Sequence, residues 1–370
     1  MQETAWRTGF VFEELYLWHH TGAAAGVMPP GLAVEPGQHV ESPEAKRRFR
    51  NLLEVSGLSD SLQRLRAEPV DESYLARFHT RDYIQCIKEL SAAGGGDAGV
   101  LTPFGRGSFD IALLSAGGTR RAVEAVIAGQ VRNAYALVRP PGHHAERDRG
   151  RGFCLFGNIA LAAMHARAQL GVGRVAIVDW DVHHGNGTEQ AFYEERDVLT
   201  VSTHQDRLFP RDSGDVASNG AGAGAGYNMN VPLPPGSGEG AYIAAFERVV
   251  IPALQRFKPE LIMVASGFDA GGLDPMGRMQ LHSDSYRRLT AILMAAANDL
   301  CNGRLVFSHE GGYSPWQAPY CGLAVMEELS GVRTRIVDPF LEMVQGWGQQ
   351  GLQPHQSLAI DAAIPLLDRL

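Results

Sequence analysis

Cysteine is scarce in this chain. Cys86, Cys154, Cys301 and Cys321 are spread over 370 residues with no Cys-x-x-Cys pair, which argues against a disulfide framework and against a cysteine-ligated zinc site. A basic surplus is missing too. The net charge of -8 argues against a nucleic-acid surface, because phosphate binding needs clustered Lys and Arg. The one basic run, Lys46-Arg47-Arg48, reads as a solvated helix face. No apolar stretch reaches membrane-spanning length, and Met1-Gln2-Glu3-Thr4 leads into no long apolar segment. Neither a membrane span nor a signal peptide is therefore expected, and cytoplasmic residence is the default. There is no internal repeat. Hydrophobic residues at 45% and charged residues at 20% make an ordinary globular chain with ample material for a core.

Apolar, β-branched runs bounded by turn residues are present instead. They are 134–138, 175–178, 198–201, 261–264 and 305–307, and segments of helical periodicity lie between them (159–170, 241–257, 286–300). Fully apolar strands alternating with helices predict an α/β fold with a parallel sheet covered on both faces. The pattern runs from about residue 109 to 330 without a long linker, so residues 1–370 are read as one domain. Residues 14–45 read as a long surface loop, Gly220 to Gly226 as a loop inside the domain, and 336–370 as a helical tail.

In an open α/β sheet, ligands bind outside the carboxyl ends of the strands. Five unusual polar segments sit at such ends: Arg139 to His144, Asp179 to His183, Ser202 to His204, Ala265 to Asp269, and Ser308 to Tyr313. Asp181 and His183 are two residues apart at a strand mouth, which points both side chains to one side. A carboxylate and an imidazole there make two thirds of a catalytic zinc site, and Asp269 is the best third ligand because Gly267 permits close backbone approach. A lone Asp after a strand is commonly a helix cap; five polar strand ends along one edge favour the metal. Such a metal would polarise a carbonyl and activate water.

Adjacent His143 and His144 follow a Pro-Pro-Gly turn and could supply a general base, with Asp179 oriented behind one of them. Tyr313, after Gly311-Gly312, could donate to an oxyanion. Phe153 and Phe209 either face each other across a narrow slot or simply pack.

Taken together, these motifs resemble the zinc-dependent histone deacetylase family, in particular its class II-like bacterial members. The resemblance rests on Arg139-Pro-Pro-Gly-His-His144, Gly152-Phe-Cys-Leu-Phe156, Asp179-Trp-Asp-Val-His-His-Gly-Asn-Gly187, Ser266-Gly-Phe-Asp269 and Glu310-Gly-Gly-Tyr313, and spans roughly residues 10–340. It implies the arginase/deacetylase fold, a parallel sheet of about eight strands with helices on both faces. It implies one Zn2+ per subunit on Asp181, His183 and Asp269, with His144 as general base and His143, backed by Asp179, as its electrostatic partner. Asn186 stands behind His144 where other branches carry an acid, and should leave it less basic. Tyr313 matches the oxyanion donor. Gly152 would accept the substrate amide N–H through its carbonyl, and Phe153 and Phe209 would wall the tunnel.

The family also holds structural K+. By similarity one site would use Asp179, Asp181 and Ser202 with backbone oxygens of His183 and Thr203. A second would use backbone oxygens of Phe192, Glu195, Val198 and Tyr227. Asp97 would hold substrate backbone at the rim. The implied substrate is an acetylated lysine peptide or protein, or a small acetylated amine, and the implied assembly is a homo-oligomer.

An arginase-like dimetal enzyme would need another Asp where Gly185 stands. A polyamine-selective branch places a glutamate where Met276 stands, and a thioether cannot meet a distant ammonium. A non-catalytic acetyl-lysine binder would not need the full set of metal ligands, both histidines and Tyr313.

Overall fold

The computed structural model describes residues 7–370. Its central sheet has eight strands: β1 Thr8–Val11, β2 Gln63–Leu65, β3 Asn133–Ala136, β4 Val175–Asp179, β5 Val198–Gln205, β6 Asn228–Leu233, β7 Leu261–Ser266 and β8 Leu305–His309. They lie in the order β6-β5-β4-β7-β8-β3-β1-β2, and every pairing is parallel. β3, β4, β7 and β8 are buried at every residue, which explains why their sequences are continuous apolar runs rather than alternating ones.

Two helix groups cover the sheet. In one, α1 (Glu44–Val55) packs on a helix at Ala318–Ser330, which packs in turn on Ser283–Cys301; in the other, Ser108–Ile127 packs on Asn158–Gln169. The Ser283–Cys301 helix buries Tyr286, Leu289, Leu293 and Ala297 at three- and four-residue spacing, and His282 and Ser285 close a reciprocal cap at its start; such a cap is worth about 1 kcal/mol. The result is an eight-stranded parallel sheet with helices packed on it, the α/β architecture that the family resemblance implies. Among the described residues no helix is long and apolar enough to cross a membrane.

Chain order runs outward from β4 through β5 to β6 on one side, while β7 and β8 lie on the other. The carboxyl ends of β4 and β7 therefore flank a topological switch point, where such sheets open a crevice. Asp181 and His183 follow β4, and Asp269 follows β7.

Four expectations need correction. β5 continues to Gln205, so Ser202, Thr203 and His204 lie within the strand and not beyond it. β1, β2 and β6 were not among the apolar runs read from the sequence; Gly9 interrupts β1, β2 begins Gln63-Arg64, and β6 begins Asn228-Met229-Asn230. Segment 14–45 is not merely a surface loop, because Tyr16, His19, His39 and Glu41 are buried. Arg139 pins it, donating to Tyr16 O at 3.2 Å, to His19 O at 2.6 Å and to the Glu41 carboxylate at 2.8 Å and 2.9 Å. Lys46 does not belong to a solvated face: it is 2% exposed and donates to Glu41 at 3.2 Å. It shares the buried stripe of α1 with Phe49 and Leu53, while Arg47 and Arg48 pair outside with Glu44.

Candidate active site

Beyond β4 the chain turns tightly on its own carboxylates. The Asp181 amide donates to Asp179 Oδ1 at 3.0 Å, and the His183 amide to Asp181 Oδ1 at 2.9 Å. The Val182 amide donates to Asp269 Oδ1 at 2.9 Å, locking the β4 and β7 loops together. His183 Nδ1 then lies 3.0 Å from Asp181 Oδ1 and 3.0 Å from Asp269 Oδ2. One ligand atom from each of the three residues falls within 4.8 Å of the others, and all three residues are buried. A Cβ on Gly267 would lie 2.1 Å from Asp181 Oδ2, so the close approach read from the sequence does require glycine there.

Two buried carboxylates and an imidazole demand a cation. Without a metal, His183 takes that role. Burial pushes it down, but hydrogen bonds and charge from Asp181 and Asp269 outweigh burial and lift it to about 10. Asp269 is pushed up to about 6 by burial and by Asp181. Asp181 is held well below the carboxylate range because the neighbouring histidines outweigh its burial. One nitrogen and two carboxylate oxygens fit a divalent metal ion.

His143 and His144 lie beside this cluster, buried at 3% exposure each. His143 Nδ1 is 2.9 Å from Asp179 Oδ2, and His144 Nδ1 is 2.7 Å from Asn186 Oδ1. Burial lowers both. For His143 the charges of Asp181 and Asp179 reverse this and raise it to about 10. For His144 the positive charges of His143 and His183 add to burial and hold it well below its ordinary value. Asn186 supplies a hydrogen bond but no charge to counter them.

Above the cluster is a cavity of about 190 Å³ lined by Leu101, His144, Gly152, Phe153, His183, Leu208, Phe209, Met276 and Tyr313. Phe209 meets His144 edge-on at 5.0 Å between centroids, and Phe153 meets Tyr313 at 5.6 Å. The two phenylalanines thus share one cavity and are not simply packed elsewhere. Gly152 has φ +51°, and a Cβ there would come within 2.4 Å of His144 and 2.8 Å of Phe209, so only glycine brings its carbonyl to this wall. Tyr313 is 8% exposed, and burial keeps its phenol protonated well above its usual range.

Several supporting residues escaped the sequence reading. Asp274 Oδ2 accepts from the Tyr313 and Ser314 amides at 2.7 Å and 3.0 Å, and Oδ1 from Met276 at 2.9 Å, joining the tyrosine to the rim. Glu310 Oε2 accepts from the Gly142 and His143 amides at 2.7 Å and 3.0 Å, fixing the turn that presents the histidine pair. Burial lifts both carboxyls to about 7, Asp274 with help from Asp269. Glu310 opens the quoted Glu-Gly-Gly-Tyr motif, so its position was visible although its role was not. Leu101 and Leu208 carried no signal.

The other expected residues are placed as follows. Asp179 and Ser202 are register neighbours across β4 and β5 and border a small space of about 10 Å³ that Asp181, His183 and Thr203 do not line; Ser202 Oγ is also 2.9 Å from His204 Nδ1, and Thr203 Oγ1 donates to Asp179 O at 3.1 Å. Of the second cation set, Phe192 O accepts from the Glu195 amide at 2.9 Å and Tyr227 O from the Thr200 amide at 3.0 Å, while Val198 pairs with Val175 at the start of β5. Asp97 is exposed, and its Oδ1 is occupied by the Gly99 and Thr102 amides at 2.9 Å and 3.2 Å; Leu101, in the loop it braces, reaches the cavity.

The model of the histone deacetylase domain matches residues 39–329. A histone deacetylase-like amidohydrolase of Pseudomonas aeruginosa is 52% identical over 342 residues, covering 92% of this chain and 90% of the relative. A human protein described as a polyamine deacetylase is 36% identical over 290 residues, 75% of this chain and 43% of its own length. The crystal structure of the HDA15 HD domain superposes with a TM-score of 0.85 at 29% identity, covering 98% of this chain and 96% of that one.

Proposed function

The chain belongs to the histone deacetylase family, and from that premise we propose that it removes acetyl or related acyl groups from lysine side-chain amides, using one zinc ion. The observation that carries this reading is the convergence of Asp181, His183 and Asp269 beneath a cavity whose wall holds both His144 and Tyr313.

Asp181, His183 and Asp269 would hold the ion, which when bound would polarise the acyl carbonyl and acidify a water molecule. His144, kept neutral by its surroundings, takes the proton from the attacking water. His143 remains cationic between Asp179 and Asp181 and offsets the negative charge gathering beside it. Tyr313 keeps its proton and donates it in a hydrogen bond to the carbonyl oxygen as it becomes an oxyanion. His144 then gives the proton to the leaving amine, yielding a free lysine amine and acetate. Phe153, Phe209 and Leu208 enclose the aliphatic stem, and the Gly152 carbonyl accepts the amide N–H.

Met276 favours acetyl-lysine over a polyamine, since it offers no charge to a remote ammonium; the likeness to a polyamine deacetylase keeps acetylated diamines as the second reading. A structural K+ held by Asp179, Asp181 and Ser202 with the backbone oxygens of His183 and Thr203 is part of the same reading and rests on the family resemblance. We also assign the chain a single domain, cytoplasmic residence and homo-oligomeric assembly, with Asp97 holding substrate backbone at the rim.

The test is acetate release from an acetyl-lysine peptide by metal-stripped protein before and after adding zinc, with bound metal measured in parallel. Activity that returns with one equivalent of zinc, and fails to return in Asp269→Ala, supports the reading. Equal activity with and without metal refutes it.

A further inference from the structure

We propose that Glu146 is a positioning residue for His144, acting through Asn186. This rests on the reading of His144 as the general base. Asn186 is 6% exposed, and its two ends face different chemistry. Its Oδ1 lies 2.7 Å from His144 Nδ1. Its Nδ2 donates to Glu146 Oε1 at 2.8 Å and to the His144 carbonyl at 3.2 Å. Neither of those partners can donate a hydrogen bond, so the NH2 group must face them and the oxygen must face the imidazole. An amide oxygen only accepts, so Nδ1 carries the proton and Nε2 is left with its lone pair. The tautomer a base needs is thus set by a carboxylate two hydrogen bonds away.

The arrangement also accounts for the amide. An Asp at 186 would accept from His144 but would bring two carboxylates together where the 2.8 Å bond now runs. Asparagine can accept on one side and donate on the other. Glu146 is in turn held by Arg149 at 2.6 Å and Arg151 at 2.9 Å. Arg151 reaches Asp212 at 2.6 Å and lies 5.7 Å from the centre of the Phe209 ring. One carboxylate therefore links the histidine, through Asn186 on one side and Arg151 on the other, to the aromatic wall of the cavity.

Two measurements test this. The first needs no turnover: nitrogen-15 NMR of the histidine rings in metal-free protein, with His144 assigned by its own substitution. The parent should show His144 in the Nδ1–H form, and Glu146→Ala should show a mixture of tautomers. The second is steady-state kinetics of the zinc-loaded protein on an acetyl-lysine peptide. Glu146→Ala should lower kcat by about 10- to 100-fold with KM changed less than about twofold, whereas Glu146→Gln, whose amide oxygen can still accept from Asn186, should lose less. Asn186→Asp should also lose activity, from facing carboxylates. The double variant Asn186→Asp/Glu146→Gln, in which the Gln amide can donate to the new carboxylate, should recover to within about threefold of the parent. An unchanged single tautomer in Glu146→Ala, or a double variant whose loss is the product of the two single losses, would overturn the proposal. A parent that fails to turn over the peptide would count against the deacetylase reading, while the NMR result would still decide the role of Glu146.

Discussion

The rings of His143 and His144 lie 4.0 Å apart between centroids, yet their surroundings drive them to opposite protonation states. His143 has Asp179 behind it and Asp181 within 3.7 Å. His144 has only a neutral amide behind it. Two titratable groups driven apart in this way divide the work of a proton relay, one holding charge and the other free to accept a proton.

That division predicts a pH dependence of stability in the metal-free protein. His143 is raised from 6.5 to about 10 on folding. Its stabilising contribution is therefore complete below 6.5 and is lost as pH rises from there through about 10. The difference in melting temperature between the parent and His143→Gln should be largest at pH 6 and narrow steadily toward pH 10. A difference that widens over that range would show that the imidazole is not held as a cation.

Removing the phenol oxygen isolates the oxyanion donor. Tyr313→Phe should cost about 100-fold or more in kcat. Zinc content and KM should hardly change, because the hydroxyl touches neither the metal ligands nor the ground-state stem. Full activity in this variant would remove Tyr313 from the mechanism.

Met276 sits on the cavity wall, and its thioether carries no charge to meet a distal ammonium. Met276→Glu should raise kcat/KM for an acetylated diamine relative to an acetyl-lysine peptide by about tenfold, equivalent to about 1.4 kcal/mol. An unchanged ratio would place selectivity elsewhere, with segment 14–45 the first place to look.

The buried cluster of Arg139, Glu41 and Lys46 fastens that segment beneath the site. Glu41→Gln leaves two buried cations without their carboxylate and should destabilise the fold by about 3 kcal/mol. Arg47→Ala, on the exposed face of the same helix, should stay within about 0.5 kcal/mol of the parent. Urea unfolding of both variants checks this; equal effects would mean the cluster is not a structural anchor.

What could be read from the sequence follows from how local each signal is. Asp181 and His183 were legible because both follow one apolar strand, and Asp269 because it follows another. Lys46 was not, because a helix face is only buried or solvated once its neighbour is known, and the Ala318–Ser330 helix lies far away in sequence. β2 was hidden because its single buried residue, Leu65, leaves no periodic pattern. Glu146 and Asp274 carried no signal in the sequence. Their roles depend on backbone amides and side chains delivered by other segments, and a one-dimensional pattern does not carry that convergence.

The most direct measurement is the initial rate of amine release by the zinc-loaded protein, with an acetyl-lysine peptide and a mono-acetylated diamine assayed side by side. The account predicts turnover of both with clear preference for the peptide, abolished by chelation and restored by zinc. Preference for the diamine would contradict the assignment of lysine as substrate, and no release from either by protein carrying its zinc would contradict the account as a whole.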